Sequence, residues 1–90
     1  MASNELSTYL RANPKAVPVL RAALEAEASH AGETTYLGWE WYEVRAYPAT
    51  LVKLVVDGLI RVNFKSNSST CYLLRDAESV KHQLGDSSAT

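Results

Sequence analysis

Apolar residues recur along this chain first at helical spacing and later at strand spacing. Leu6 and Leu10 stand four apart with Asn4 ahead of them as a cap, which predicts a short helix over 5–12. Asn13-Pro14 punctuates the chain, and Val17, Leu20, Leu24 and Ala28 then make one apolar stripe. That stripe predicts a second helix running to about residue 30, with Gly32 as its stop. Pro18 either sits in the first turn of this helix or makes the opening turn irregular. Aromatic and β-branched residues favour a strand around 34–37, Gly38 breaks it, and 40–46 reads as a short helix.

Pro48 opens a third helix and Gly58 ends it, with Leu51, Leu54 and Val55 inward. Apolar and polar residues alternate from Ile60 to Lys65, as a half-buried strand requires. Ser66-Asn67-Ser68-Ser69 supplies a turn, and Thr70 to Leu74 is the return strand. Pairing Lys65 with Thr70 sets Phe64 opposite Cys71 and Val62 opposite Leu73, with Cys71 and Leu73 facing the core. A last helix over 77–84 follows a cap at Asp76, turns Ala77, Val80 and Leu84 inward, and stops at Gly85. Residues 85–90 are expected to form a flexible tail, and the first three residues are expected to be mobile as well.

Ninety residues make one domain with a small core, spanning 1–90 with its centre at 16–76. The opening "MASNELSTYL" lacks the basic and apolar regions of a signal peptide, and no apolar run approaches the length of a membrane span. A single cysteine, Cys71, excludes an internal disulfide and makes a reducing, cytoplasmic setting the simplest expectation. The net charge of -1 conceals an asymmetry. Residues 1–44 carry three basic and six acidic side chains, whereas residues 45–81 carry six basic and three acidic ones. The basic half can meet an anion, but three charges is a weak excess, and the total charge gives no support to tight nonspecific nucleic-acid binding.

The order helix, short strand, helix, helix, hairpin resembles a winged helix-turn-helix domain over roughly residues 16–76. Its most specific part is "LVKLVVDGLIRVNFKSNSSTCYLL", where Leu54, Gly58, Leu59 and Ile60 match the usual ending of a recognition helix. "FKSNSSTCYLL" matches a wing with Tyr72 on its return strand, and the extra helices at both ends look like local elaborations. The resemblance implies an α+β fold, helix-rich, with a small antiparallel wing. It also implies double-stranded DNA as the partner, with the helix at 48–57 in the major groove and the wing tip on the backbone. Ala49, Thr50 and Lys53 would then face bases, and Arg45 and Tyr47 would lie near phosphates where the chain enters that helix. Lys65, Ser66, Asn67, Ser68 and Ser69 would be the wing contacts.

This helix departs from a typical reader of base edges. It offers only Lys53 and Thr50 as polar groups, Val52 and Val56 stand where polar residues are common, and Asp57 repels phosphate. Backbone-led binding follows, assisted by a second copy or by the rest of a larger protein. Val52 and Val56 are expected to be covered by the N-terminal helix or by a partner. The roles open to such a domain are a compact transcription regulator or the DNA-engaging module of a replication, repair or transcription protein. The alternative is a protein-interaction winged helix that bridges subunits through Trp39, Trp41, Val52 and Val56.

Each candidate also has a plainer reading. Arg45, Lys53 and Lys65 are ordinary surface charges, and the Ser/Asn tip is an ordinary turn. Trp39, Trp41 and Tyr42 are packing residues, with one of them exposed, or else a stacking platform for single strands. Cys71 is a small core residue, and Glu25, Glu27, Glu40 and Glu43 are solvated helix faces. His30 and His82 lie near helix ends, and with one cysteine no metal-ligand spacing is present. No catalysis, cofactor or metal is expected, since there is no phosphate-cradling glycine loop and no nucleophile elbow.

Overall fold

Helix-forming stripes and two turn-prone segments fold the described residues into five helices and a hairpin. The structure, a computed structural model, describes residues 3–89. In chain order the elements are α1 (Ser3–Ala12), α2 (Ala16–Ser29), α3 (Trp41–Val44), α4 (Pro48–Val56), β1 (Ile60–Lys65), β2 (Thr70–Leu74) and α5 (Ala77–Ala89). The expectation of mobility at residues 1, 2 and 90 lies outside the described residues. No described helix is long and apolar enough to cross a membrane.

α1 buries Leu6 and Leu10, as their spacing predicts. Asn4 lies inside its first turn rather than capping it, and its carbonyl accepts a bond from Thr8 Oγ1 at 2.9 Å. Asn13 closes the other end, its backbone N–H and side-chain amide both donating to the Tyr9 carbonyl. α2 takes Pro18 in its first turn, where the missing N–H is no loss. Its buried stripe is Ala16, Val19, Leu20 and Ala23, one position off the predicted one, and Ala28 is exposed. Both stripes share Leu20. The alanines win because a methyl group lets the neighbouring elements approach closely, whereas Val17 and Leu24 fit only at the edge of the core.

The segment 34–37 forms no strand. Strand-like pairing falls instead on Trp39, which exchanges two backbone hydrogen bonds with Tyr72 at 3.0 and 2.9 Å. Gly38 permits this rather than breaking it. Its φ is 129°, and a Cβ there would lie 2.4 Å from the Tyr72 carbonyl oxygen. Glu40 and Glu43 then start α3 with a reciprocal capping box, which explains a helix only four residues long.

Pro48 sits at the first position of α4, and Leu51 and Leu54 are its buried residues. Its end is a Schellman turn: Leu59 N–H donates to Leu54 O at 3.0 Å and Gly58 N–H to Val55 O at 3.1 Å. Gly58, at φ 84°, takes the left-handed position that this turn requires. The chain leaves directly into β1.

β1 and β2 pair antiparallel, with Lys65 opposite Thr70 and Phe64 opposite Cys71 as predicted. Val62 does not face Leu73. A bulge between Val62 and Phe64 sets Val62 opposite Tyr72 and Arg61 opposite Leu73. The extra residue, Asn63, turns its amide to the Leu37 carbonyl at 2.8 Å. The core side of β2 is therefore Tyr72 and Leu74, not Cys71 and Leu73 as expected: Cys71 is buried on the other face, outside the core cluster, and Leu73 is only partly buried. β1 is buried only at Ile60, so its alternation does not give the half-buried strand expected.

Glu27 on α2 fastens this sheet. Its Oε2 accepts from Trp39 Nε1 at 2.9 Å and from the Leu74 backbone N–H at 2.8 Å. It is a structural acceptor, not a solvated carboxylate as expected. Asp76 caps α5 through Ser79 N–H at 3.1 Å, and Val80 and Leu84 point into the core. α5 runs past Gly85 to Ala89, where a stop is predicted. A glycine inside a helix costs only about 1 kcal/mol relative to alanine, so it does not compel an end.

Candidate nucleic-acid interface

Three structural pieces position the predicted site: the α3–α4 turn, the outer face of α4, and the wing. The turn forms because α3 ends on Arg45 in the left-handed region, φ 55° and ψ 44°, unusual for a residue with a side chain. That conformation redirects the chain so that Ala46 N–H closes on Trp41 O at 3.1 Å and Tyr47 caps the start of α4. The Arg45 and Tyr47 side chains are exposed, Tyr47 at 80%. With Thr50 they line an open groove of about 540 Å³ between α2 and α4, floored by Val19, Ala22 and Val44.

On α4 the outward residues are Ala49, Val52, Lys53 and Val56, with Thr50 half-buried. α1 does not cover the valine pair: Val52 is 58% exposed and Val56 is 78% exposed. Lys53 is exposed but engaged. Its Nζ lies 2.8 Å from Asp57 Oδ2 and 5.7 Å from the centre of the Tyr9 ring. The same Asp57 oxygen accepts from the Tyr9 hydroxyl at 2.6 Å. The hydrogen bond from Lys53, and then that from Tyr9, hold the Asp57 carboxyl below its ordinary range. The bond to Asp57 raises the Lys53 ammonium, and partial burial followed by the Asp57 bond raises the Tyr9 phenol.

The wing differs from the helix. Every residue from Arg61 to Ser68 is exposed. Arg61 donates to Asn63 Oδ1 at 2.9 Å, and neither Arg61 nor Lys65 pairs with a carboxylate among the described residues. At the tip, Ser66 N–H donates to Ser69 O at 2.7 Å, and the Ser66 hydroxyl accepts from Ser69 N–H at 3.1 Å. Ser66 is thus occupied in building the turn, as its plainer reading holds. Asn67 and Ser68 stand outward at the apex, and Ser69 is partly buried.

Among the aromatics, Trp39 is fully buried and stacks on Tyr72 with ring centres 5.5 Å apart. It is not available to bridge a partner. Trp41 and Tyr42 are both exposed, where only one is expected to be. They meet edge to face at 5.9 Å, and the Tyr42 hydroxyl donates to Glu40 at 2.9 Å. Cys71 is buried, and desolvation, followed by Glu40 and Glu43, pushes its thiol up, away from nucleophile chemistry. His30 stacks on Tyr36 at 4.2 Å and bonds to Glu33 at 2.7 Å, an arrangement confined to the end of α2 and its following turn.

Arg61 and Tyr9 matter to this surface but do not emerge as candidates from the sequence, and Asp57 emerges there only as a charge that repels phosphate. Arg61 occupies a polar slot of an alternating strand, and that slot was the available signal. The joining of Tyr9 to Asp57, 48 residues later, leaves none. No protein-family model matches the chain, and neither curated proteins nor solved structures give a match.

Proposed function

We propose that the chain binds double-stranded DNA through its phosphate backbone, led by the β1–β2 wing and the Arg45 corner rather than by base readout from α4. One observation carries this reading: an exposed strand and tip, residues 61–68, bearing Arg61 and Lys65, neither held by a carboxylate among the described residues, follow closely on the helix that would sit beside them. Phosphate contacts need cations that no carboxylate holds and accessible polar side chains, and the wing offers Arg61 and Lys65 with Asn67 and Ser68 at its apex. Base readout needs polar forks on the helix, and α4 presents Ala49, Val52 and Val56 instead. No chemical step follows from this arrangement.

With Arg45, Arg61 and Lys65 each neutralising one phosphate, log K should fall against log salt with a slope of about -2.7. That slope amounts to roughly a fortyfold loss of affinity between about 50 and about 200 mM salt. Titration of a labelled mixed-sequence duplex at those two concentrations tests the reading. Failure to bind at the lower salt would reject it.

A second reading draws on a different observation. Tyr47, Val52 and Val56 form an exposed apolar series on and beside α4, and Trp41 and Tyr42 are exposed on α3. Such surface suits a protein partner, whose binding would hardly respond to salt. Paired Val52→Ser and Val56→Ser changes would then abolish the interaction while leaving duplex binding intact.

A further inference from the structure

We propose that Asp57 and Tyr9 form an autoinhibitory latch that withholds Lys53 from phosphate, so that α1 sets the affinity of the α4 face for nucleic acid. This rests on the DNA-binding reading above. One carboxylate oxygen of Asp57 takes both the Lys53 ammonium at 2.8 Å and the Tyr9 hydroxyl at 2.6 Å. The Lys53 ammonium also lies over the Tyr9 ring, so two of its neighbours come from this one cluster. Lys53 is the one cation on the outer face of α4. Its engagement leaves that face without an uncommitted positive charge.

Asp57 stands at the C-terminal cap of α4, where the helix dipole disfavours a negative charge. The carboxylate is retained there with two donors, one of them from a helix 48 residues earlier. A phosphate drawn to Lys53 must compete with the Asp57 carboxylate for the ammonium and also faces the charge of that carboxylate beside it. Tyr9 is what fixes the carboxylate on the Lys53 side, because its hydroxyl holds the same oxygen. Any event that moves α1 away from α4 would remove that second donor and loosen the pair. The Asp57 carboxylate is an intramolecular competitor of phosphate for the Lys53 ammonium.

The test uses the full chain and the same labelled duplex. Asp57→Asn keeps the shape and removes the charge, so Lys53 becomes available. Binding should tighten severalfold, and the salt slope should steepen by about 0.9, the increment for one more neutralised phosphate. Tyr9→Phe keeps the ring packed against the core and removes only the hydroxyl, and should give a smaller gain in the same direction. Adding Lys53→Ala to Asp57→Asn should return the slope to that of the parent. Circular dichroism confirms that each variant is folded. If the parent binds and Asp57→Asn binds no better, the latch is wrong and the wing-led reading stands. A gain that persists in the Asp57→Asn/Lys53→Ala pair would trace to removal of a negative charge alone and would also overturn the latch. Absence of duplex binding by parent and variants alike would reject both.

Discussion

The two strands of one hairpin have opposite fates. β2 is fixed on both edges, by β1 on one side and by Trp39 on the other, and it buries Cys71, Tyr72 and Leu74. β1 contributes only Ile60 to the core and leaves Arg61 through Lys65 in solvent. The bulge at Asn63 separates them, because it moves Val62 from opposite Leu73 to opposite Tyr72 while Phe64 stays opposite Cys71. Half of the hairpin therefore serves the fold and half serves the surface. Substitutions in the first half should be felt in stability, and substitutions in the second half in binding.

The sharpest test of the buried half is Trp39→Ala. Trp39 is fully buried, stacks on Tyr72 and donates to Glu27. Its removal should cost about 3–5 kcal/mol, a large part of the stability of so small a domain, as read by urea denaturation. Glu27→Ala comes next. It leaves the Trp39 indole N–H and the Leu74 backbone N–H without their acceptor, at about 1–3 kcal/mol for each group so stranded. Glu27→Gln retains an acceptor oxygen and should recover a good part of the loss. Equal losses for the two variants would mean that the carboxylate charge, rather than the paired hydrogen bonds, holds the sheet.

Arg45→Gly probes the surface half without harming the fold. Glycine adopts the left-handed conformation freely, so stability should be unchanged or raised by up to about 1 kcal/mol. Duplex affinity should nevertheless drop, with the salt slope shallower by about 0.9. A variant that is stable yet binds DNA as well as the parent would remove Arg45 from the interface.

The smallest effect is a pH dependence. Asp57, bonded by Lys53 and then by Tyr9, and Asp76, bonded by Ser79, both have carboxyls held below the ordinary range. Each contributes stability that is fully present above the unfolded value of about 3.9 and is lost as pH falls through the lower folded value. The thermal midpoint should therefore fall in that acid window. Asp57→Asn and Asp76→Asn should each flatten the decline. A midpoint in either variant that declines as steeply as that of the parent would dissociate these bonds from acid sensitivity.

The parts of this fold legible in the sequence are those determined locally. Pro48 and Gly58 bracket α4 because one fits a helix start and the other the left-handed position after its end. The Ser66–Ser69 tip and the pairing of Lys65 with Thr70 follow from turn chemistry within a few residues. The capping of α5 by Asp76 follows in the same way. What could not be read depends on distant partners. The bulge rests on the Asn63 amide reaching Leu37, 26 residues back. The role of Glu27 depends on groups 12 and 47 residues away. Gly38 looks like a breaker until Tyr72 is beside it. For the candidate site, the positions of Arg45, Tyr47 and Lys65 were legible as exposed polar or aromatic residues around a helix and a turn. The Lys53–Asp57 spacing of four is local, but the part of Tyr9 in that cluster was not legible, because Tyr9 joins it only in three dimensions.

The division between the two strands is most directly tested by following backbone amide resonances of the full chain while a mixed-sequence duplex is added. Wing-led binding predicts the largest perturbations at residues 61–69 and at Arg45, with β2 and the Trp39 bridge little changed. Perturbations confined to the α4 face at residues 49–56, with the wing unmoved, would contradict it.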